Sequence, residues 1–369
     1  MKYWRGYLVA GIIAVCTWLL SQFAAAHTQL VDMVYPYISR IIMDYLASWS
    51  SGVDACLWQM FILVFIVLGL GSIVLMIIFK WNPIQWGGWV LAVVAVINLL
   101  STGIYGLNEH SGSLAEDVRL EVQEYSVGSL ERAANYYRDM ANQYADEVAR
   151  NADGSLRFSE FEKMAQQAAE GFQNLTTERY FPTFSGSTVP VKQLGWTGFY
   201  EGETGVTVGI TGESAVNPNV PTVGVPFAIC HEMTHRMCVY DHTDADFGAF
   251  LACTANGSDE FRYSGYLMAF RTCYNALRAI NTNMGRDALN RVMSEVEDSV
   301  LKDMSDYNAF LGEQADVSND ELCKLLVSWH IQEFPLMEDP EDVEDVFDPL
   351  DETDERLEDI LNPSASGED

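Results

Sequence analysis

Residues 226–240 read PFAICHEMTHRMCVY. In a helix, positions i and i+4 lie on one face, so the imidazoles of His231 and His235 point the same way. Two imidazoles so placed can hold one Zn²⁺, and Glu232 on the neighbouring flank can take a proton from water activated there. The chain has only 6 His in 369 residues, so this spacing arises by chance on the order of once in a hundred such chains. The bland reading, two buried histidines bonded to backbone carbonyls, is the weaker one. A closed structural zinc site is weaker still, because such sites draw on Cys and the sequence holds no C-x-x-C pair.

An open zinc site needs a third protein ligand. Four candidates follow the motif: Asp241, His242, Asp244 and Asp246. Asp241 sits at the ligand position of a metzincin-like H-E-x-x-H-x-x-G-x-x-H/D pattern. There Cys238 takes the Gly position, and a non-Gly residue resists positive φ. His242 is one residue late for the same pattern. Asp244 and Asp246 open the next apolar segment, DADFGAFLACTA. Two positions apart, they diverge by about 200° around a helix, so both cannot face one metal. Thr243 reads as an N-cap with Asp246 three residues on, as in a capping box, which leaves Asp244 free to ligate.

Upstream, STVPVKQL (187–194) and TGVTVGITG (204–212) are β-rich runs between Gly and Pro, which reads as a small sheet. ESAVNPNVPTVGVP (213–226) reads as a loop into the motif helix. From 113 to about 173, acidic and apolar residues alternate at helical spacing, giving two or three amphipathic helices. Residues 151–160 imitate a calcium loop, with Gly154 at the turn and Glu160 closing it. Ala149 stands where the first carboxylate belongs, so a polar turn is the better reading. Residues 260–334 read as further amphipathic helices that complete the domain.

The first 105 residues are of another kind. They carry Lys2, Arg5, Arg40 and Lys80 against Asp32, Asp44 and Asp54, whereas the rest carries 17 basic and 49 acidic residues. Three apolar stretches, about 7–26, 55–79 and 84–105, are long enough to cross a bilayer. The first also ends in an A-x-A-like pattern, so a cleaved signal peptide is its alternative. Trp81, Trp86 and Trp89 lie near the junction of the other two, at an expected interface. Lys2, Arg5 and Lys80 place the N-terminus and the tight turn in the cytoplasm, and everything past about 108 outside. The stretch VDMVYPYISRIIMDYLASWSSG (31–52) reads as a short helix on the outer membrane surface. Residues 338–369 hold fifteen acidic residues and one basic, Arg356, and read as a disordered, solvated tail. A net charge of −31 argues against nucleic acid.

A resemblance adds to this. Thr211, Gly212, Glu213, Val216 and Asn217 form TGE-x-x-VN. Pro226, Phe227, His231, Glu232 and His235 form PF-x-x-x-HE-x-x-H. Phe247 precedes Leu251, Ala252 and Cys253 (LAC), and Tyr263, Ser264, Gly265, Tyr266 and Leu267 form YSGYL. Over these sixty or so residues the chain resembles domain-of-unknown-function family 3810, a family of bacterial membrane proteins. The resemblance implies about three N-terminal spans, then a zincin-like metallopeptidase domain. The family's acidic position, usually Glu, falls on Asp244, which implies Asp244 as third ligand.

The expectation is therefore a membrane-anchored, mainly α protein. It has a membrane domain (1–105), an extracytoplasmic zincin-like α+β domain with a small sheet (106–337) and an acidic tail (338–369). Its expected activity is zinc-dependent peptide hydrolysis at a bacterial cell membrane. His231, His235 and Asp244 hold Zn²⁺, Glu232 is the general base, and Tyr263 or Tyr266 donates to the oxyanion. Its partners are the lipid bilayer and a peptide or protein substrate. Two other classes remain: an inactive envelope scaffold that keeps the motif, and a zinc amidohydrolase acting on an envelope component.

Overall fold

The computed structural model describes residues 2–315 and 317–334; the acidic stretch 338–369 lies outside the described residues. Four long helices come first: α1 (Arg5–Ala26), α2 (Thr28–Ser50), α3 (Leu57–Ile78) and α4 (Pro83–Ile104). Of these, α1, α3 and α4 have the length and apolarity to cross a membrane. The side chains of α3 from Met60 to Ile78 are mostly exposed and carry no charge.

A tight turn joins α3 to α4. Asn82 caps α4, accepting from the backbone N–H groups of Ile84 and Gln85, and Pro83 takes the first helical position. Trp86 Nε1 donates to Ser72 Oγ across the hairpin at 3.2 Å. Helices α1 and α4 run in the same direction. Near their starts, Gly6 lies so close to Gly88 that an added Cβ would meet the Gly88 carbonyl carbon at 2.4 Å. Near their ends, Ala24 and Leu107 share one apolar cluster. Small residues allow this backbone approach.

Helix α2 covers the stretch expected to form a short helix. It is 23 residues long with Pro36 inside, and it buries Ser39, Met43 and Ala47. Arg40 Nε donates to Met237 O at 3.2 Å and Ser39 Oγ to Ile104 O at 2.6 Å. Gly212, at φ +65°, lets the chain pass Met43 and Ala47, because a Cβ there would stand 2.7 Å from Ala47 N.

The rest is helical around one small sheet. Helices α5 (Leu114–Asp117), α6 (Val127–Glu147) and α7 (Phe161–Thr177) fall where helical periodicity places them. The turn at 151–155 uses its own carboxylate, as Asp153 Oδ1 accepts from Ser155 N and Oγ. The strands are β1 (Lys192–Gln193), β2 (Gly205–Val208) and β3 (Glu213–Val216), in the order β1-β3-β2. Residues 213–216 therefore correct the loop reading: they are the central strand, parallel to β1 and antiparallel to β2. All four are buried, so no polar–apolar alternation marks them as a strand.

Helices α8 (Val225–Arg236), α9 (His242–Ala255), α10 (Asp259–Ala279), α11 (Asn283–Met293), α12 (Asp298–Leu311) and α13 (Asp320–Glu333) follow. Helix α8 lies between the sheet and α9, and α10 packs on α6, α8 and α9. One apolar core runs through them, with Phe172, Ile229, Phe247, Phe261 and Phe270 fully buried. The seven cysteines carry free thiols.

Candidate metal centre

The centre is built from the end of α8 and the start of α9. His231 and His235 leave the same face of α8, and both are buried. Helix α8 then stops in a Schellman turn: Cys238 N donates to His235 O at 2.9 Å and Val239 N to Thr234 O at 3.4 Å. Cys238 occupies the left-handed position of that turn, at φ +72°, which Gly usually fills. The turn carries the Val239 carbonyl back to His235, whose Nδ1 lies 2.8 Å from it.

Asp241 starts α9. Its carboxylate accepts from Thr243 N at 2.8 Å and Asp244 N at 3.2 Å, so it is the N-cap and His242 is the first helical residue. That start decides which side chains reach the site. His242 and Asp246 are four apart and share a face, while Asp244 is two from each and faces away. His242 Nδ1 stands 3.2 Å from His235 Nε2 and 3.4 Å from His231 Nε2. Asp246 Oδ1 accepts from His231 Nδ1 at 2.7 Å. Asp244 Oδ2 instead accepts from Leu114 N at 2.8 Å, and burial pushes its pKa to about 6.

The donor set suits a metal. His235 Nδ1 faces a carbonyl oxygen, which can only accept, so Nδ1 carries the proton and Nε2 offers a lone pair. His231 Nδ1 faces a carboxylate and likewise carries a proton, so Nε2 offers its lone pair whenever the ring is neutral. Two lone pairs thus converge, and one neutral His242 can donate to only one of them. His231, His235 and His242 offer ligand nitrogens within 4.8 Å of one another, the arrangement a divalent cation resolves. Carbonyl and carboxylate partners behind the imidazoles are the usual support for such ligands. Burial holds His235 well below its ordinary pKa. Burial also pulls His231 down, but Asp246 outweighs it and leaves His231 raised.

Glu232 is buried beside the cluster, and burial raises its pKa to about 7. Thr207 of β2 donates to its Oε2 at 2.7 Å. The other oxygen lies against Gly205, where a Cβ would stand 2.6 Å from Oε1. A cavity of about 240 Å³ opens here, with Glu203, Gly205, Glu232, His242, Arg271 and Tyr307 in its wall. Asn217 fixes one side of it, since its Nδ2 donates to Tyr200 O and Glu203 O at 2.7 and 2.9 Å.

Other candidates lie elsewhere. Tyr263 donates at 2.6 Å to the buried Asp303, which also pairs with Arg150. Tyr266 stacks on Tyr144 at 5.7 Å. Neither lines the cavity, whereas Tyr307 does. Burial pushes the Tyr307 phenol up to about 12. Sequence reasoning passed over Tyr307, Thr207 and Gly205 because nothing local ties 205, 207 or 307 to the motif. For His242 a signal existed: Asp outranks Thr as an N-cap, and a helix begun by Asp241 sets His242 and Asp246 on one face.

No curated protein and no solved structure matches the chain. A family model described as "Protein of unknown function (DUF3810)" matches residues 31–325, from α2 into the first half of α13. That match takes in the histidine cluster, Asp246 and Glu232 together with α3 and α4, and the chain belongs to this family.

Proposed function

We propose that the protein is a membrane-anchored, metal-dependent peptidase whose metal ligands are His231 Nε2, His235 Nε2 and His242 Nδ1. The carrying observation is the convergence of these three nitrogens beside a buried carboxylate. Three imidazoles without thiolate or further carboxylate favour zinc among common divalent ions. Such an ion supplies Lewis acidity, polarising a scissile carbonyl and acidifying water. Glu232 takes the proton of the attacking water at Oε1 and returns it to the leaving amine. Thr207 holds the carboxylate by Oε2 so that Oε1 meets the cavity. Tyr307, protonated at neutral pH, is the hydroxyl donor for the developing oxyanion. Strand β2 ends the sheet beside the cavity, so its free edge suits an extended chain.

Lys2, Arg5 and Lys80 favour a cytoplasmic N-terminus and an external catalytic domain. The parallel run of α1 and α4 agrees with starts on one side.

Metal analysis of the full-length protein in detergent tests the ligand set. Wild type is expected to hold one equivalent of zinc, His242→Ala to lose it, and Asp244→Ala to keep it. Asp246→Asn is expected to weaken affinity ten- to a hundredfold. Cleavage of a peptide mixture, abolished in Glu232→Gln, tests the reaction. Retained zinc with no peptide cleavage would move the proposal to non-peptide amides. A folded wild type that takes up no metal would overturn it.

A further inference from the structure

We propose that Trp196 and Phe199 form a foot seated in the interfacial layer of the lipid bilayer, at the depth where α3 enters it. The inference rests on reading α3 as a membrane span. Gln59 is the third residue of α3 and is buried. An amide this close to the apolar run needs a partner. Gly195 supplies one reciprocally: Gln59 Nε2 donates to Gly195 O at 2.9 Å, and Gly195 N donates to Gln59 Oε1 at 3.1 Å. Cys56 Sγ donates to Gln193 O at 3.4 Å. Residues 193–195 therefore lie along the first turn of α3, level with the end of its lipid-facing side chains.

The chain that follows, QLGWTGFY (193–200), has no charge. Trp196 is half-exposed at φ +51°, a left-handed conformation that a bulky residue adopts only at a cost. Phe199 is 84% exposed, the most exposed large apolar side chain among the described residues. Tyr200 packs edge-on against Trp58 of α3, with ring centres 6.3 Å apart. Trp58, Trp196, Phe199 and Tyr200 thus gather at one level of one span. Aromatic rings collect at that depth of a bilayer, where an apolar body and a polar edge both find partners. On a water-exposed loop the same side chains would leave a patch with no cover. The foot also reaches the candidate metal centre. Asn217 ties Tyr200 O and Glu203 O together, and Glu203 to Gly205 form part of the cavity wall.

Nitroxide labelling of the full-length chain in phosphatidylcholine–phosphatidylglycerol vesicles tests this. Cys16 is the exposed native thiol and the other six are buried, so a Cys16→Ser background leaves the introduced site as the target. Labels are placed by Phe199→Cys and, independently, Trp196→Cys. Leu68→Cys on α3 marks the bilayer interior. Met284→Cys on α11, which packs on α6 and α10, marks water. Each label's relaxation is compared in oxygen, which enters lipid, and in a nickel chelate, which does not. The ratio of oxygen to chelate effect at 199 and 196 is expected severalfold above that at 284 and below that at 68. Labels at 199 and 196 as open to the chelate as 284, with 68 protected, would overturn the foot and leave the span standing. A label at 68 open to the chelate would overturn both. Metal content and peptidase activity enter neither outcome.

Discussion

Glu232 carries the clearest cost in the molecule. A carboxyl ordinarily titrates near 4.5, and burial moves Glu232 to about 7. The folded state thus holds this proton more tightly than the unfolded chain does. Its contribution to stability is whole below pH 4.5 and is lost as pH rises through 7. A shift of that size corresponds to about 3 kcal/mol. Glu232→Gln removes the penalty. Metal-free Glu232→Gln is therefore expected to exceed metal-free wild type by up to about 3 kcal/mol at pH 8, with the gap closing by pH 5. Denaturant unfolding of chelator-treated protein at the two pH values checks this. An equal gap at both would show that titration of Glu232 does not set it. A bound cation opposes the same penalty, so wild type is expected to regain stability on metal addition while losing protons. Nothing in the H-E-x-x-H spelling reveals this cost, because it comes from residues far along the chain closing over Glu232.

At the scale of elements, the site is a matter of where helices end. The motif helix and the apolar spans were legible because their periods repeat over many residues, and α1, α3 and α4 fall within a few residues of the expected 7–26, 55–79 and 84–105. The third imidazole was not, because it hangs on a one-residue choice of cap. With Thr243 as cap, Asp244 is the free carboxylate; with Asp241 as cap, His242 and Asp246 turn toward His231 and His235, and Asp244 turns to Leu114. Two steric expectations point opposite ways here. Asp244 and Asp246 do diverge as the helix requires. Cys238 does adopt the positive φ that non-Gly residues resist. The cost, about 1–2 kcal/mol, is met by the Schellman bonds and by burial of the thiol against Ser39 Oγ at 3.2 Å. Cys238→Gly is thus expected to keep metal and to stay within about 1 kcal/mol of wild type, trading backbone relief for lost packing. Cys238→Val places a β-branched residue at positive φ. It is expected to destabilise by more than about 2 kcal/mol and to weaken metal binding through the displaced Val239 carbonyl. Thermal unfolding and zinc titration of the pair check this. Equal behaviour of the two would remove the turn from the argument. Asp241→Ala, which deletes the cap, is expected to cost about 1 kcal/mol and to loosen His242 without touching His231 or His235.

For the whole molecule, composition suggests a cut near residue 105, and the contacts run across it. Arg40 of α2 bonds Met237 and Pro182, in the chain around the motif helix. Gly212 rests on Met43 and Ala47. Glu213, the first residue of the central strand, accepts from Leu57 N and Trp58 N at 2.8 and 3.0 Å, and so caps α3. Its other partner is Lys192 Nζ at 2.6 Å, which also donates to Ser50 O and Ala55 O. This pair fastens the first turn of α3 to the strand beside β2, and β2 carries Thr207 to Glu232. A charge change cannot disclose such a joint, because it is one carboxylate in a segment otherwise read as loop. Two outcomes are expected. Glu213→Ala in the full chain leaves the partly buried Lys192 without its counter-ion, which costs about 1–3 kcal/mol. It also leaves the start of α3 uncapped. A fragment of residues 106–334 keeps the Lys192–Glu213 pair but loses α2, α3 and every bond that reaches them, and is expected to aggregate or to unfold without a sharp transition, while residues 28–334 in detergent unfold cooperatively. Size-exclusion profiles and thermal melts of the two fragments decide it. A monodisperse 106–334 that melts sharply and binds zinc as tightly as the full chain would mean that the N-terminal helices only tether the site. Failure of 106–334 beside success of 28–334 would mean that they are part of its foundation.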